Sequence, residues 1–567
     1  MRRYFFPLHR SVPARLLGRA LLLCLSVTFS LFMPQAIFGA DDSWTGATSS
    51  TWSTTSNWSL GAKPGTADNA VFDRAITFQP DLAGTNQAIA GIWMKTGVTT
   101  DVTISGTSII TLNSGTIGGT SGLGIRVDNT SAYTLTISCG LKLGAAQTWL
   151  NNSSNVFTVT GAVNTNALAL TINGSGSTTI SGITSGTGSI TKTGAGALTL
   201  SGANTYSGGT TLTSGTLNIN NAGSGGTSSA IGTGTFTING GTIDNTTAGA
   251  ITLSTNNAVT FGGNFTFGGT QNLNFGGGKV SNGGSYTITL NGTNSTLTFG
   301  TMNNTLNAAQ TTTVNGAGNT LVLGGYSLNN ANQVDTINGS GNVTITGAVT
   351  NGGKATTSGL TYSGTGTLTL SGTNTYGGNT AVTSGTVLVN GSTGVAGTTV
   401  SVTNSGTTLG GTGTINGAVT VGSGAKLRGG TGSAASGTLT LSSSLTLQSG
   451  SIIELALGAS GAHSTLARSG GGTWSFNTNQ AFTFINLGAQ PGNYTNIITG
   501  LASDPGETGW TITNAGWIGS FSYSGGNISL NVVAVPEPAT CLAGFLALVV
   551  VGYHQRRRLF SLLLPQV

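Results

Sequence analysis

Short runs in which apolar residues alternate with threonine or serine recur along most of the chain. Examples run from Ala197 to Leu200, from Tyr286 to Leu290 and from Val419 to Val421. A period of two places every second side chain on the same face, which predicts short β-strands. Clusters of Gly, Asn and Ser separate these runs, and such residues turn the chain sharply. The body of the chain is therefore predicted to be all-β, with helix only at its two ends.

One such segment occurs twice. Residues 194–206 read GAGALTLSGANTY, and residues 364–376 read GTGTLTLSGTNTY. The match continues from residues 213–217 to residues 383–387. Internal repetition of strand-and-turn units predicts a solenoid whose coils bury a continuous core between them.

The Leu-Thr-Leu-Ser-Gly-x-Asn-Thr-Tyr core resembles the autotransporter-associated β-strand repeat. The resemblance implies a right-handed parallel β-helix, the fold of the secreted passenger regions that carry this repeat. With coils of about 20 to 25 residues, the body is expected to form about 20 coils stacked roughly 4.8 Å apart. Asn204 and Asn374, which occupy the same place in the two copies, are candidates for stacked ladders or turns.

The N-terminus has the pattern of a secretory signal peptide. Arg2, Arg3, Arg10, Arg15 and Arg19 precede an apolar run that reaches Phe38. A basic region followed by an apolar region implies export through the Sec machinery. Small residues precede Asp41, so cleavage is predicted after Ala40, although Phe38 departs from the usual small residue.

The C-terminus carries a second targeting pattern. An apolar run from 541 to 553 follows a proline-rich segment and precedes three arginines: Val535, Pro536, Glu537, Pro538, Ala539, Thr540, Arg556, Arg557, Arg558. The order resembles the PEP-CTERM sorting signal, which implies processing by an exosortase-type enzyme. A permanent membrane anchor through 541–553 is the alternative. The tail Leu559–Val567 departs from the family pattern, whose chains end soon after the arginines.

The net charge of +6 does not indicate a nucleic-acid partner. Eight of the 19 Lys and Arg residues lie in the two targeting segments, which leaves 11 against 13 Asp and Glu. Nucleic-acid affinity requires clustered cations, whereas Lys142, Lys192, Lys279 and Lys354 are far apart. The exported body is nearly neutral, and no nucleic-acid binding is expected.

Chemistry-bearing residues are sparse. Of the three cysteines only Cys139 lies outside the targeting segments, so no intramolecular disulfide is expected. Between Asp128 and Glu454 the only acids are Asp244 and Asp335, which are too far apart for a catalytic pair. His463 is the single histidine of the mature body, which argues against a histidine-based triad or zinc site. No cofactor, metal or catalytic residue is predicted.

The remaining charges gather near the end of the body. The only region where a site is worth seeking contains Glu454, His463, Arg468, Asp504 and Glu507. Structural charges on a capping region are the favoured interpretation of this group. Tryptophans also concentrate at both ends of the body: Trp44, Trp52, Trp58, Trp93, Trp474, Trp510, Trp517. They are interpreted as caps on the solenoid, with an aromatic sugar-binding platform as the alternative.

The predicted organisation divides the chain into six parts. They are a signal peptide (1–40), an N-terminal capping region (41–95), a parallel β-helix (96–473, clear copies 194–220 and 364–390), a C-terminal capping region (474–533), a sorting segment (534–558) and a tail (559–567). The function expected is that of an exported, non-catalytic structural protein of the bacterial surface or extracellular matrix. The alternatives are a glycan-binding or glycan-degrading protein and an adhesin-like passenger. The partners expected are extracellular polysaccharide or cell-surface components.

Overall fold

The computed structural model describes residues 39–128 and 132–535. Within these ranges the alternation seen in the sequence becomes alternation of burial. In Val102–Ile104, for example, the two apolar side chains are fully buried and the threonine between them is half-exposed. Because successive side chains of a strand point to opposite faces, each strand contributes its apolar residues to the interior and its hydroxyls to the surface.

The clearest element is a sheet of 17 strands, here called the 17-strand sheet, in which every strand pairs in parallel with the next. Its strands, in order, are Val102–Ile104, Leu135–Ile137, Phe157–Val159, Thr178–Ile180, Ala197–Leu200, Thr216–Ile219, Thr242–Asp244, Phe265–Phe267, Tyr286–Leu290, Thr311–Asn315, Val334–Asn338, Gly359–Tyr362, Thr380–Val382, Thr399–Val402, Ala418–Val421, Leu445–Leu447 and Trp474–Ser475. One strand per coil gives a stack of about 17 coils, roughly 80 Å long at the usual strand spacing.

A second sheet, the 25-strand sheet, runs beside the first along the described chain. Its strands are Asp41–Ser43, Asn69–Phe72, Gly91–Met94, Gly115–Ile117, Thr120–Val127, Gln147–Asn151, Leu170–Asn173, Ile190–Lys192, Thr210–Leu212, Phe236–Ile238, Ile251–Thr252, Val259–Phe261, Leu273–Asn274, Val280–Asn282, Thr296–Asn304, Thr320–Ser327, Asn342–Ile345, Val349–Thr350, Thr367–Leu370, Thr386–Val389, Thr408–Gly410, Lys426–Arg428, Ile452–Gly458, Ala481–Leu487 and Thr511–Ile512. Its pairings are parallel except for the hairpin of Gly115–Ile117 with Thr120–Val127.

Two shorter sheets complete the coils at either end. The five-strand sheet contains Gln87–Ile89, Ile109–Leu112, Gly140–Leu143, Val163–Asn164 and Thr184–Ser185. The seven-strand sheet contains Ser392–Thr393, Thr414–Ile415, Thr438–Leu441, Thr465–Arg468, Gly492–Thr499, Ile518–Ser524 and Asn527–Ala534. Its last strands pair antiparallel, which ends the solenoid pattern. Three short 3₁₀ turns lie at Thr55–Asn57, Ala459–Gly461 and Glu507–Gly509.

The interior is a continuous apolar column. Phenylalanines from successive coils stack within it, with ring centroids 5.6 Å apart for Phe236 and Phe275 and 4.7 Å apart for Phe275 and Phe299. All three rings are buried. Burying one such ring contributes about 1.5–3 kcal/mol, and because each ring contacts the coil before and the coil after, the stack holds neighbouring coils in register.

Tight corners require glycine where coils approach closely. Gly215 has φ of 73°, a conformation that costs L side chains energy. A Cβ on this residue would lie 2.3 Å from the carbonyl oxygen of Gly194 in the preceding coil. The same corner recurs at Gly385, where φ is 61° and Gly364 supplies the opposing carbonyl. Glycine at these positions is therefore a requirement of coil stacking.

The prediction of an all-β parallel solenoid is confirmed, with somewhat fewer coils than the 20 expected. The strands Ala197–Leu200 and Tyr286–Leu290 have the predicted bounds. Across residues 39–128 and 132–535, no helix is long and apolar enough to cross a membrane. The predicted signal helix and sorting helix lie outside these residues.

Candidate functional site

The two predicted processing sites lie at the two ends of the range of residues that the structure describes. The amide of Ala40 donates to Asp68 Oδ1 at 2.8 Å, and its carbonyl accepts from the amide of Asn69 at 2.8 Å. Val535 packs against the apolar core. Pro536 to Thr540 and Arg556 to Arg558 lie outside the described residues, so the sorting signal stays a prediction.

Glu454, the first acid of the C-terminal group, is a structural ion-pair partner. Its side chain is buried, with one oxygen 2.6 Å from Lys426 Nζ and the other 2.5 Å from Arg428. Arg428 and Glu454 are direct neighbours in the 25-strand sheet. Since both carboxylate oxygens face a cation, this acid ties adjacent coils together.

Two further members of the group also serve local structure. His463 Nδ1 lies 3.1 Å from the carbonyl oxygen of Ser464, and the imidazole packs edge-on against Tyr494. Glu507 Oε1 accepts a hydrogen bond from the amide of Tyr523 at 3.0 Å. These contacts fix turns near the end of the solenoid.

Arg468 and Asp504, by contrast, line one cleft of about 290 Å³. The cleft lies between the turn that follows Arg468 and the loop 501–505, and Trp474 and Phe476 form part of its wall. We name it the terminal cleft. The predicted group of five residues is thus divided, because Arg468 and Asp504 line the terminal cleft, whereas Glu454, His463 and Glu507 do not.

The early tryptophans form a closed cluster. The ring centroids of Trp44, Trp52 and Trp58 are 4.8–6.2 Å apart, and all three side chains are buried. Trp58 Nε1 donates to the carbonyl of Trp52 at 2.7 Å. Stacking on a pyranose needs an exposed ring face, so these three rings do not form a sugar platform.

The asparagine of each repeat copy bridges three coils. Asn204 Oδ1 accepts from the amide of Thr184, 20 residues earlier, and Nδ2 donates to the carbonyl of Ala230, 26 residues later. Asn374 likewise accepts from the amide of Val349, 25 residues earlier, and donates to the carbonyl of Ser392, 18 residues later. Both side chains are buried, so each satisfies backbone groups that a corner would leave unpaired.

The tyrosine of each copy closes the same corner from inside. Tyr206 Oη lies 2.5 Å from Thr210 Oγ1, and Tyr376 Oη lies 2.5 Å from Thr380 Oγ1. Tyr376 also contacts Thr393 Oγ1 at 2.7 Å. Burial raises the pKa of both phenols, so each stays protonated and can donate its hydrogen bond.

The comparisons agree with this repeat geometry. Residues 190–219 and 360–389 match the family model of the passenger-associated transport repeat. Two segments of the chain are therefore similar to the passenger-associated transport repeat. No curated protein and no solved structure matches the chain.

One position inside the two passenger-associated transport repeats differs in chemistry. Lys192 in the first copy is buried, and its Nζ donates to the carbonyls of Thr193 at 2.5 Å, Gly194 at 2.9 Å and Ser214 at 3.4 Å. Desolvation lowers the pKa of Lys192 to about 8. The second copy has Tyr362, whose buried hydroxyl has no partner among the described residues, and burial raises its pKa to about 12.

Sequence reasoning missed the terminal cleft because its walls come from two separate turns. It also missed Lys192 as a buried cation. The available clue was its place between Thr191 and Thr193 in a strand whose alternate positions face inward.

Proposed function

We propose that the chain is an exported, non-catalytic β-solenoid of the bacterial surface or extracellular matrix. The supporting observation is that hydrogen bonds and ion pairs within the fold already occupy its buried carboxylates. Asp335 is fully buried and accepts four hydrogen bonds from Asn304, Gln310 and Asn329, at 2.7–2.9 Å. A carboxylate saturated in this way supports the coil and is not available to transfer a proton.

Asp244 and Glu454 support the same interpretation. Asp244 accepts from Thr270 Oγ1 at 2.6 Å and from the amides of Asn245 and Thr270. Glu454 is held by two cations. Glycoside hydrolysis needs two carboxylates that flank one bond, whereas each of these acids has structural partners of its own.

Export is supported by the passenger-associated repeats and by the sequence pattern of both termini. In this proposal the chain is exported through the Sec machinery, residues 1–40 are removed as a signal peptide, and an exosortase-type enzyme acts at the sorting segment. Cleavage after Ala40 removes the hydrogen bonds that Ala40 makes with Asp68 and Asn69, whereas Asp42 and Ser43 are still paired with Ala70 and Val71. The mature protein therefore keeps the sheet pairing of these two residues at its start.

An adhesin-like passenger is the second candidate, favoured by the family of the two matched segments. Both candidates describe a surface-displayed solenoid that binds without turnover. They differ in the partner, which is matrix polysaccharide in the first case and another cell in the second. Attachment of beads coated with the purified protein to isolated matrix or to cells separates them.

The test of the non-catalytic role is direct. Purified protein is incubated with bacterial matrix polysaccharide, and new reducing ends and unsaturated uronates are measured. The proposal expects neither product from the wild type. Polysaccharide cleavage that disappears in Glu454→Gln or Asp504→Asn, with folding retained by circular dichroism, contradicts it.

Intact-mass analysis of protein recovered from the bacterial envelope tests export. We expect Asp41 at the N-terminus and loss of residues 541–567. An N-terminus at Met1 contradicts export by the signal peptide, and retention of 541–558 favours a permanent anchor.

A further inference from the structure

The terminal cleft has an aromatic and aliphatic wall. Trp474 and Phe476 lie with ring centroids 6.1 Å apart, and Phe476 packs on Trp510 at 5.0 Å. Leu501 and Pro505 line the cavity beside the rings. Since Trp510 is buried and continues into Phe482 and Phe521, the wall is held in place by the core behind it.

Two indole groups, that of Trp474 in this wall and that of Trp510 behind it, have unusual surroundings. Trp474 Nε1 and Trp510 Nε1 are buried, and neither has an acceptor among the described residues. A buried donor without a partner costs about 1–3 kcal/mol, so such groups in a native structure call for an explanation. Both belong to the aromatic cluster of Trp474, Phe476 and Trp510 beside the terminal cleft.

Arg468 shapes the polar side of the cleft. Its Nε donates to the carbonyl of Gly472 at 2.8 Å, and its Nη1 donates to the carbonyl of Gly500 at 3.0 Å. The guanidinium thereby fastens the two turns that form the cleft. Within the described residues its Nη2 has no acceptor, which leaves N–H donors for a ligand.

Asp504 contributes hydrogen-bond acceptors to the cleft, in contrast to the donors of Arg468. Its Oδ1 accepts from the amide of Gly506 at 2.8 Å, and Oδ2 has no donor among the described residues. Although both residues line the cavity, Arg468 and Asp504 form no ion pair there. The cleft thus presents donors and acceptors that remain available beside an apolar wall.

We propose that the terminal cleft binds a neutral pyranose glycan. A sugar hydroxyl both donates and accepts, so one ring can serve Asp504 and Arg468 together while its C–H face packs on the wall. A charged ligand attracted by one of these residues is repelled by the other. The volume of about 290 Å³ is at the lower end for small-molecule pockets and suits a short stretch of sugar.

The lining of the cleft favours binding over cleavage. Asp504 is the only carboxylate among the residues that line it, and both glycosidase mechanisms need a pair. This inference deepens the proposed function and rests on it only for the statement that the bound glycan is not cleaved.

The experiment measures binding of defined oligosaccharides to the purified protein by isothermal titration calorimetry. The neutral probes are hexasaccharides of β-1,4-glucan, β-1,4-mannan and α-1,4-glucan, and the charged probe is a hexamer of galacturonate. We expect at least one neutral hexasaccharide to bind with Kd in the micromolar to millimolar range and more tightly than the galacturonate.

Two variants locate the site. Asp504→Asn removes the acceptor charge at an exposed position and is expected to weaken binding at least tenfold. Ala502→Trp, also at an exposed position of the lining, fills the cavity and is expected to abolish binding. Glu507→Gln is the matched control, because this nearby acid bonds Tyr523 and does not line the cleft. Its affinity should stay within twofold of the wild type.

The inference is overturned if no neutral hexasaccharide binds at 10 mM, if the galacturonate binds more tightly, or if Asp504→Asn and Ala502→Trp bind like the wild type. The reducing-end assay keeps this result separate from the proposed function. Binding accompanied by cleavage supports the ligand class and refutes the non-catalytic role, whereas no binding and no cleavage refutes only the glycan site.

Discussion

The two passenger-associated transport repeats place the same sequence on different sheets. In the first copy the Leu-Thr-Leu segment lies in the 17-strand sheet, as Ala197–Leu200. In the second copy it lies in the 25-strand sheet, as Thr367–Leu370. The corner that follows is nevertheless the same, with a coil-bridging asparagine and a buried tyrosine bonded to a threonine. The repeat therefore specifies a corner, and the face on which its strands lie depends on neighbouring coils.

The copies differ at the last residue of the strand that precedes the Leu-Thr-Leu segment. Lys192 fills its position with a cation bound by three carbonyls, and Tyr362 fills the equivalent position with a hydroxyl that has no partner among the residues that the structure describes. Neither group is required by the shared corner. The comparison thus separates residues that define the repeat from residues that the repeat tolerates.

The largest expected effect comes from the shared asparagines. Asn204→Leu leaves the amide of Thr184 and the carbonyl of Ala230 unpaired. Asn374→Leu leaves the amide of Val349 unpaired, while the carbonyl of Ser392 keeps its bond from the backbone amide of residue 374. We expect the local free energy of opening to fall by about 3 kcal/mol for Asn204→Leu and by about 2 kcal/mol for Asn374→Leu, measured by hydrogen exchange with mass spectrometry. Asn218→Thr, an outward position bonded only to Thr199, should change it by less than about 0.5 kcal/mol. A large loss of local stability in only one of the two copies contradicts the equivalence of the two corners.

Lys192 is expected to make the stability of the first repeat copy depend on pH. Its folded pKa of about 8 is below the ordinary 10.5, so the unfolded state holds more protons between these values. Stability should therefore rise as pH increases from 7 to 10, by about 1–2 kcal/mol, since the three carbonyls offset part of the burial cost. Hydrogen exchange, corrected for its intrinsic rate, should lose this slope in Lys192→Met. An unchanged slope in that variant contradicts the assignment.

The local stability lost when each tyrosine is replaced by phenylalanine should increase with the number of hydrogen bonds that its hydroxyl makes. Tyr376 Oη contacts two threonines and Tyr206 Oη contacts one. We expect Tyr376→Phe to cost about 2 kcal/mol and Tyr206→Phe about 1 kcal/mol of local stability. Equal losses, measured by exchange in the flanking strands, indicate that Thr393 adds nothing.

The smallest effect is expected at Tyr362. Because its buried hydroxyl has no partner, Tyr362→Phe removes an unsatisfied group and should stabilise the second copy by about 0.5 kcal/mol. The melting temperature and local exchange should rise slightly or stay constant. A loss of more than about 1 kcal/mol reveals a hydrogen bond to this hydroxyl.

The sequence predicted strands well because their period of two is a local property. Ala197–Leu200 and the asparagine corners follow from residues that are adjacent in the chain. The sequence did not predict which sheet each strand joins, because a Leu-Thr-Leu segment can lie in either sheet. The coil number was overestimated because some coils are longer than the expected 20 to 25 residues, such as the coil of 33 residues from Val102 to its partner Leu135.

The candidate site was only partly predictable for a similar reason. Arg468 and Asp504 were named together because both are charged and close in sequence, which also drew in Glu454 and His463. Glu454 is separated from Arg468 because the two residues lie in different sheets, Glu454 in the 25-strand sheet and Arg468 in the seven-strand sheet. The meeting of two turns at the terminal cleft depends on this three-dimensional arrangement.

The central claim is that successive coils stack in parallel register, and engineered cysteines test it most directly. Thr179 and Thr199 are outward neighbours in adjacent coils, and Thr158 lies one coil further away. Cys139 is buried with its pKa raised to about 12, so it does not compete. After mild oxidation of the native protein, mass spectrometry should find a disulfide in Thr179→Cys/Thr199→Cys and none in Thr158→Cys/Thr199→Cys. No disulfide in the first pair, or a disulfide in the second, contradicts the parallel stack.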